Sequence, residues 1–292
     1  MQNMISEIKI TSPKTGKLLD NRAGYLIDNE ETEKYPVKDG IPVMLPEKPE
    51  GGMDYIGHYE TDAEQFDYFR ERICKETEHG ERRSREYIAS RVPKKTGVLL
   101  DVGSGGAWAA KKFCPEGIKV VSMDISFKNV KTAMDKFPHE NHYGIVGDGL
   151  NPPFPEDTFD CVIAAEVIEH TIDPDDFANK LFSLVKPGGK LIISTPYKEK
   201  IQYYLCVHCN KPTPKNAHLH SFDENRLRSL IPTGELSSIR HFTFLNKALT
   251  VMRAGKVLRF LPFGLWKIAD SIANLLINKR SGIIIEFVKK AK

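Results

Sequence analysis

One stretch constrains the fold of this chain more than any other: Val98-Leu99-Leu100-Asp101-Val102-Gly103-Ser104-Gly105-Gly106-Ala107, an apolar run that carries an acid and breaks into a glycine-rich turn. Such a run reads as a buried strand, and the glycines let the following backbone approach a ligand closely. Lys119-Val120-Val121-Ser122-Met123-Asp124 reads as a second buried strand whose terminal acid lies 23 residues beyond Asp101. In a doubly wound sheet a carboxylate roughly 20 residues after the glycine turn reaches the ribose of a bound nucleoside. Further strands are expected at Tyr143 to Asp148, at Phe159 to Ala165 running into Glu166-Val167-Ile168-Glu169-His170, and at Gly188 to Pro196, after a helix over Pro174 to Val185. Strands alternating with helices at this spacing form a parallel sheet whose ligands sit at the carboxyl ends of the strands.

Residues 96 to 200 resemble the class I S-adenosylmethionine-dependent methyltransferases, of the type 11-like kind. Asp101, Gly103 and Gly105 match the family's glycine loop, Asp124 its ribose acid and Asp148 its adenine-contacting acid. Phe154 to Ile163 matches its fPedtFDcVi segment, and Leu184 to Gly189 its LkPGG turn. The resemblance implies an α/β fold with a doubly wound, mostly parallel, Rossmann-like sheet of seven strands. It also implies S-adenosylmethionine as cofactor, held by Asp101, Gly103, Ser104, Gly105, Asp124, Ile125, Asp148, Gly149 and Glu166. A dinucleotide dehydrogenase is the competing reading, but its fingerprint wants a third glycine where this chain has Trp108.

At 292 residues the chain exceeds one typical domain of up to about 250 residues, so a second small unit is expected. Residues 1–48 resemble the zinc-ribbon-like module that precedes some methyltransferase domains, with Ser12-Pro13-Lys14-Thr15-Gly16 where a Cys-x-x-Cys knuckle would stand. Neither hydroxyl replaces a thiolate on zinc, so a metal-free β module is expected. Residues 49–95 are expected to be helical over 62 to 91, with Phe66, Phe69 and Ile73 among the apolar positions, and to cover the cofactor or serve as a packing element. The methyltransferase domain is expected over 96–292. The opening Met1 to Lys9 carries no signal-peptide pattern, and the five cysteines do not read as a disulfide framework, so a cytoplasmic protein is expected.

An insertion over 200–222 follows the fifth strand. Cys206 and Cys209, with His218 or His220, have the spacing of a zinc site that could fold a substrate-covering loop; otherwise this is a loop with two thiols. Glu166-x-x-Glu169-His170, followed by His220-Ser221-Phe222-Asp223, also resembles the metal cluster of small-RNA 3′-end 2′-O-methyltransferases and of ubiquinone-pathway catechol O-methyltransferases. There a divalent ion would bind the hydroxyl to be methylated and lower its pKa. His170 is the first choice for a general base because an imidazole titrates near neutral pH, with Glu166 or Glu169 next.

From Lys247 to Lys292 ten Lys or Arg stand against Asp270 and Glu286, a local net of +8 in a chain whose total is +3. Within the basic apolar segment 247–280, a helix is expected over Phe263 to Asn278 with Lys267, Asp270, Ser271, Asn274 and Asn278 on one face. So narrow a polar stripe implies a helix that is mostly buried or lies against something greasy. It is either a lid on the domain or, with 253–278 as a whole, a peripheral membrane contact, and Gly282 to Val288 is expected to close the sheet. These features favour a small or amphiphilic acceptor, lipid-linked or quinone-like, methylated on oxygen or carbon. An RNA acceptor and a non-catalytic scaffold of the same fold are the alternatives.

Overall fold

The structure, a computed structural model, describes residues 8–45, 54–70, 72–206 and 210–291. Strands β1 (Leu19–Arg22), β2 (Tyr25–Asp28), β3 (Lys34–Lys38) and β4 (Ile41–Pro42) form an antiparallel N-terminal module. Helices α1 (Tyr55–Gln65) and α2 (Lys75–Ala89) lead into the large sheet. There β5 (Val98–Val102), α3 (Trp108–Phe113), β6 (Lys119–Asp124), α4 (Phe127–Lys136), β7 (His142–Val146), β8 (Phe159–Ala165), α5 (Pro174–Ser183) and β9 (Val185–Pro196) alternate as expected. A hairpin of β10 (Tyr203–Leu205) and β11 (Pro212–Pro214) follows, then α6 (Glu224–Arg228), β12 (Leu236–Asn246), α7 (Lys247–Val251), α8 (Gly255–Leu258), α9 (Phe263–Leu276) and β13 (Arg280–Lys289).

The seven strands lie in the order β12-β13-β9-β8-β5-β6-β7, parallel from β9 to β7, with β13 antiparallel to both of its neighbours. This is a doubly wound, Rossmann-like arrangement of seven strands, as expected. The order reverses at β5, between β6 and β8, and such a reversal opens a crevice at the carboxyl ends of the strands. Residues such as Leu99, Leu100, Val120, Val121, Val162 and Ile163 are fully buried, as strands covered on both faces require.

Several element boundaries differ from expectation: β7 runs over His142–Val146 and not Tyr143 to Asp148, β9 begins at Val185 and not Gly188, and β13 spans Arg280–Lys289 and not Gly282 to Val288. The helix after Pro174 ends at Ser183, because the Leu184 carbonyl accepts the N–H groups of Thr158 and Phe159 and Val185 already pairs with Phe159. Residues 62 to 91 are two helices; Phe66 is extended at the end of α1, and Ile73 is exposed between them. The tail helix stops at Leu276, and of its expected polar stripe Asp270 and Asn274 face inward beside Trp266 while Ser271 and Asn278 are exposed. Asp270 and Asn274 are buried, with Asp270 accepting the N–H groups of Leu245 and Asn246, while Leu265, Ile268, Ile272, Leu275 and Leu276 are exposed. Among the described residues no helix is long and apolar enough to cross a membrane.

The N-terminal module is welded to the sheet. Met44 donates its N–H to the Val146 carbonyl at 2.8 Å, and Ile8, Ile10, Leu19, Leu26, Tyr35 and Met44 share one apolar cluster with Leu100 and Val162. At the position of the expected knuckle, the buried Ser12 hydroxyl accepts the N–H groups of Lys14 and Thr15 and contacts the Tyr35 hydroxyl at 3.1 Å. These bonds close the turn locally.

Across the β13–β9 pair, Glu286 is fully buried and accepts from Arg91 Nε at 2.9 Å and from the Lys190 ammonium. Removing one member of a buried ion group leaves the others uncompensated. Glu286→Gln is therefore expected to lower the unfolding free energy by about 3 kcal/mol in urea titrations, and a loss below about 1 kcal/mol would show that these cations are already solvated.

Candidate active site

At the carboxyl rim of β5, β6 and β8 lies a cavity of about 720 Å³. The glycine turn forms one wall. Gly103 has φ +65°, and a Cβ there would stand 2.5 Å from Val167 Cγ2, so no other residue fits. Asp124, at the end of β6, accepts the Gly105 N–H on Oδ2 at 2.9 Å and the Ser126 N–H on Oδ1 at 3.0 Å. Burial pushes its pKa up. Asp148 accepts the Leu150 N–H on Oδ1 and the Tyr55 hydroxyl on Oδ2 at 2.5 Å.

Of the nine cofactor residues expected, Gly103, Gly105, Asp124, Ile125, Asp148, Gly149 and Glu166 line the cavity. Asp101 and Ser104 do not; both are buried, and Asp101 Oδ2 and Ser104 Oγ lack partners. At position 149 glycine answers to packing, since a Cβ would meet Phe177 Cε2 at 2.3 Å.

Beside Val167, which abuts Gly103, the segment after β8 brings Glu166 and His170 to the cavity. Glu166 follows β8 with φ +57°, a left-handed conformation that costs a non-glycine residue of order 1 kcal/mol and that clusters at functional sites. Its Oε1 accepts the Ser194 hydroxyl at 2.9 Å. Glu169 is buried, its Oε2 accepting the Thr195 hydroxyl and its Oε1 without a partner. Burial and the neighbouring Glu166 charge raise the Glu169 pKa well above the usual carboxylate range. His170 Nδ1 is buried and unpartnered, and burial, with His218 beside it, lowers this imidazole to about 4. The base expected to titrate near neutrality is instead a neutral ring through the physiological range.

Glu169, His170 and His218 bring one ligand atom each to within 4.8 Å of one another, and the two rings cross at 84°. Among the described residues this is the cluster with the donor set of a cation site: one carboxylate oxygen and two imidazole nitrogens. His218 is steered there by Glu199, whose Oε2 lies 2.5 Å from its Nδ1. His220 turns Nε2 to the Thr171 carbonyl at 3.0 Å, and Asp223 caps α6 by accepting the Arg226 N–H, so neither belongs to the cluster. Cys206 is likewise outside it, paired through its backbone with Lys211, and Cys209 lies outside the described residues.

Tyr55, Tyr59 and Tyr68 also line the cavity, and the sequence reading did not single them out. Tyr55 and Tyr59 are spaced i, i+4, which places both on one helix face and was the available signal. Tyr59 meets the His170 ring edge-on, and the Tyr68 hydroxyl donates to Asp62 at 2.6 Å. Nothing in the local pattern pointed to Glu199.

A protein-family model described as a methyltransferase domain matches residues 100–193. The ubiquinone biosynthesis O-methyltransferase of Caulobacter vibrioides is 35% identical over 114 residues, 37% of this chain and 44% of that protein. The mitochondrial enzyme of the same name from Bos taurus is 30% identical over 155 residues, 48% of this chain and 41% of that protein. The chain thus spans about half or less of these curated relatives. Among solved structures, phosphoethanolamine N-methyltransferase 2 of Haemonchus contortus, in complex with S-adenosyl-L-methionine, superposes with a TM-score of 0.54 at 15% identity, over 83% of this chain and 61% of that one. A chain from the complex of the Haloferax volcanii Trm112 methyltransferase activator with a methyltransferase gives 0.52 at 17% identity, over 82% of this chain and all of that one. These two show the fold.

Burial and the nearby Asp124 push the Asp101 pKa up to about 8. An unfolded aspartate loses its proton near pH 4, so between about pH 4 and pH 8 the folded state holds the extra proton and stability falls as pH rises. Asp101→Asn, without added ligand, is expected to raise the urea midpoint much more at about pH 8 than at about pH 5, by up to about 1.4 kcal/mol per pH unit. Equal shifts at both pH values would mean that the carboxyl is ionised in the fold.

Proposed function

We propose that this chain, which carries a methyltransferase domain, transfers a methyl group from S-adenosylmethionine to a hydroxyl of a small quinone-like or amphiphilic acceptor. The observation that carries the reading is the Glu169, His170 and His218 cluster, whose two histidines line the same cavity as the glycine turn, Asp124 and Asp148. The ubiquinone biosynthesis O-methyltransferases among its relatives support a hydroxyl of that kind.

The residues fit the two groups that the reading implies. Gly103 and Gly105 leave the backbone bare, Asp124 and Asp148 place carboxylates on the cavity wall, and the unpartnered Glu169 Oε1 and His170 Nδ1 are buried donor atoms that await a ligand. Gly103, Gly105, Asp124 and Asp148 would hold S-adenosylmethionine, which supplies a methyl on an activated sulfonium. Glu169, His170 and His218 would hold a divalent cation, which supplies Lewis acidity to a bound hydroxyl.

The chain's own work is alignment and exclusion of water, since an in-line displacement at an activated carbon needs no nucleophilic side chain. Tyr55, Tyr59 and Tyr68 wall the cavity with rings and order it through the Asp148 and Asp62 carboxylates. His170, neutral at physiological pH, keeps its Nδ1 lone pair available, either to a cation or to the acceptor's proton. The close approach of Glu169 and His218 favours the first use.

Calorimetry with S-adenosylmethionine tests the cofactor half: Asp124→Ala is expected to weaken binding at least about tenfold, whereas His170→Ala leaves it within about twofold. Chain stripped with a chelator is expected to lose methyl transfer to a catechol acceptor and to regain it with a divalent cation, and His170→Ala or Glu169→Ala to lower turnover about 100-fold. Turnover that ignores both the chelator and His170→Ala would remove the cation. Failure of the unaltered chain to bind S-adenosylmethionine would return it to a scaffold role.

A further inference from the structure

We propose that the segment from α7 to α9 is a docking surface for an anionic lipid bilayer. In α9 the usual arrangement is inverted. Trp266 is buried, and Asp270 and Asn274 take up the backbone and side chain of residues 245 and 246, while Leu275 is 83% and Leu276 78% exposed, beside exposed Leu265, Ile268 and Ile272. Spacing of i, i+3, i+7 and i+10 aligns these aliphatics as one outward stripe. Val251, Met252, Val257 and Phe260, on or beside the two preceding short helices, are exposed as well.

The helix has no alternative seat. Arg83 of α2, 1% exposed, donates to the carbonyls of Leu258 and Leu261 and lies over the Trp266 ring at 5.2 Å. Rolling the aliphatics inward would expel Trp266 and leave Asp270 without its donors. The outward stripe is thus a fixed feature, and a contiguous apolar surface of this kind marks a docking site.

Charge decides the occupant. Seven Lys or Arg lie between Lys247 and Arg280, and the single acid there, Asp270, points inward. Two carboxylates of α2 that feel the charges of this segment, Glu76 and Glu78, already face Lys75, Arg82, Arg253, Lys256 and Arg259. A second copy docked through the same patch would bring two cationic surfaces together, which disfavours self-association. Apolar side chains ringed by Lys and Arg match the acyl and headgroup layers of an anionic membrane.

Topology gives the surface a purpose. Asn246 pairs with Arg280 and Gly282 with Pro196, so the segment leaves and rejoins the sheet at the rim where β9 ends and the cavity opens. A chain seated through it would face a bilayer with the same rim that holds the site. The inference goes beyond the proposed reaction and is tested without it.

The full chain is sedimented with vesicles of phosphatidylcholine, alone or mixed with phosphatidylglycerol, with no cofactor present. Binding to the mixed vesicles is expected to be at least about tenfold tighter and to weaken with added salt. Ile272→Glu with Leu275→Glu should abolish binding, and Lys256→Glu with Lys279→Glu should reduce it to the neutral-vesicle level, all with unchanged circular dichroism because these side chains are exposed. No binding, equal binding to both vesicles, or binding unaffected by the variants would overturn the proposal. So would a dimer in solution that Ile272→Glu dissociates, since a second copy would then be the occupant.

Discussion

Asp124 accepts the Gly105 N–H on one oxygen and the Ser126 N–H on the other, and so ties the turn after β5 to the turn after β6. Two parallel strands fix only the spacing of their own backbones; the loops beyond them need a separate restraint. A buried carboxylate supplies it, and three donors, Asn129 included, offset the cost of its burial. With the glycine turn held, Tyr68 can pack against Gly105 and the remaining cavity wall has a reference edge. Asp124 also lines the cavity, so the brace and the candidate ribose contact are one residue.

Much of this was legible in the chain because strands buried on both faces read as unbroken apolar runs, and their polar terminal residues stand out. Val98 to Val102, Lys119 to Asp124 and Phe159 to Ala165 begin and end where the pattern says. The histidine partner of Glu169 and His170 was not legible. Asn216 and Ala217 both adopt left-handed backbone conformations ahead of His218, and that double turn sends His218 to the cluster while His220 finds the Thr171 carbonyl. Nor does any local pattern report that burial and the adjacent His218 lower the His170 pKa.

The tail helix shows a different limit. Its two faces were divided only in part: Asp270 and Asn274 share the buried side with Trp266, which the pattern set among the apolar residues, while Ser271 and Asn278 are exposed, and periodicity says nothing about which face turns inward. The answer lies 25 residues upstream of Asp270: the Leu245 and Asn246 N–H groups at the end of β12 need acceptors, and Asp270 provides them. An unmet backbone donor near the core outweighs exposed aliphatic surface, because an orphaned buried polar group loses its full hydration.

The apolar cluster that joins Ile10, Leu26 and Met44 to Leu100 and Val162 has a consequence for how the molecule comes apart. A module with its own core on a slack linker would melt separately; one whose side chains help fill the main core cannot leave without opening a hole in it. The N-terminal strands and the parallel sheet are therefore one cooperative unit, and their contacts form across a long sequence separation, from Met44 to Val146. Folding must wait for β7 before the module has a place to sit. Strands made before the parallel sheet would then be locked after it.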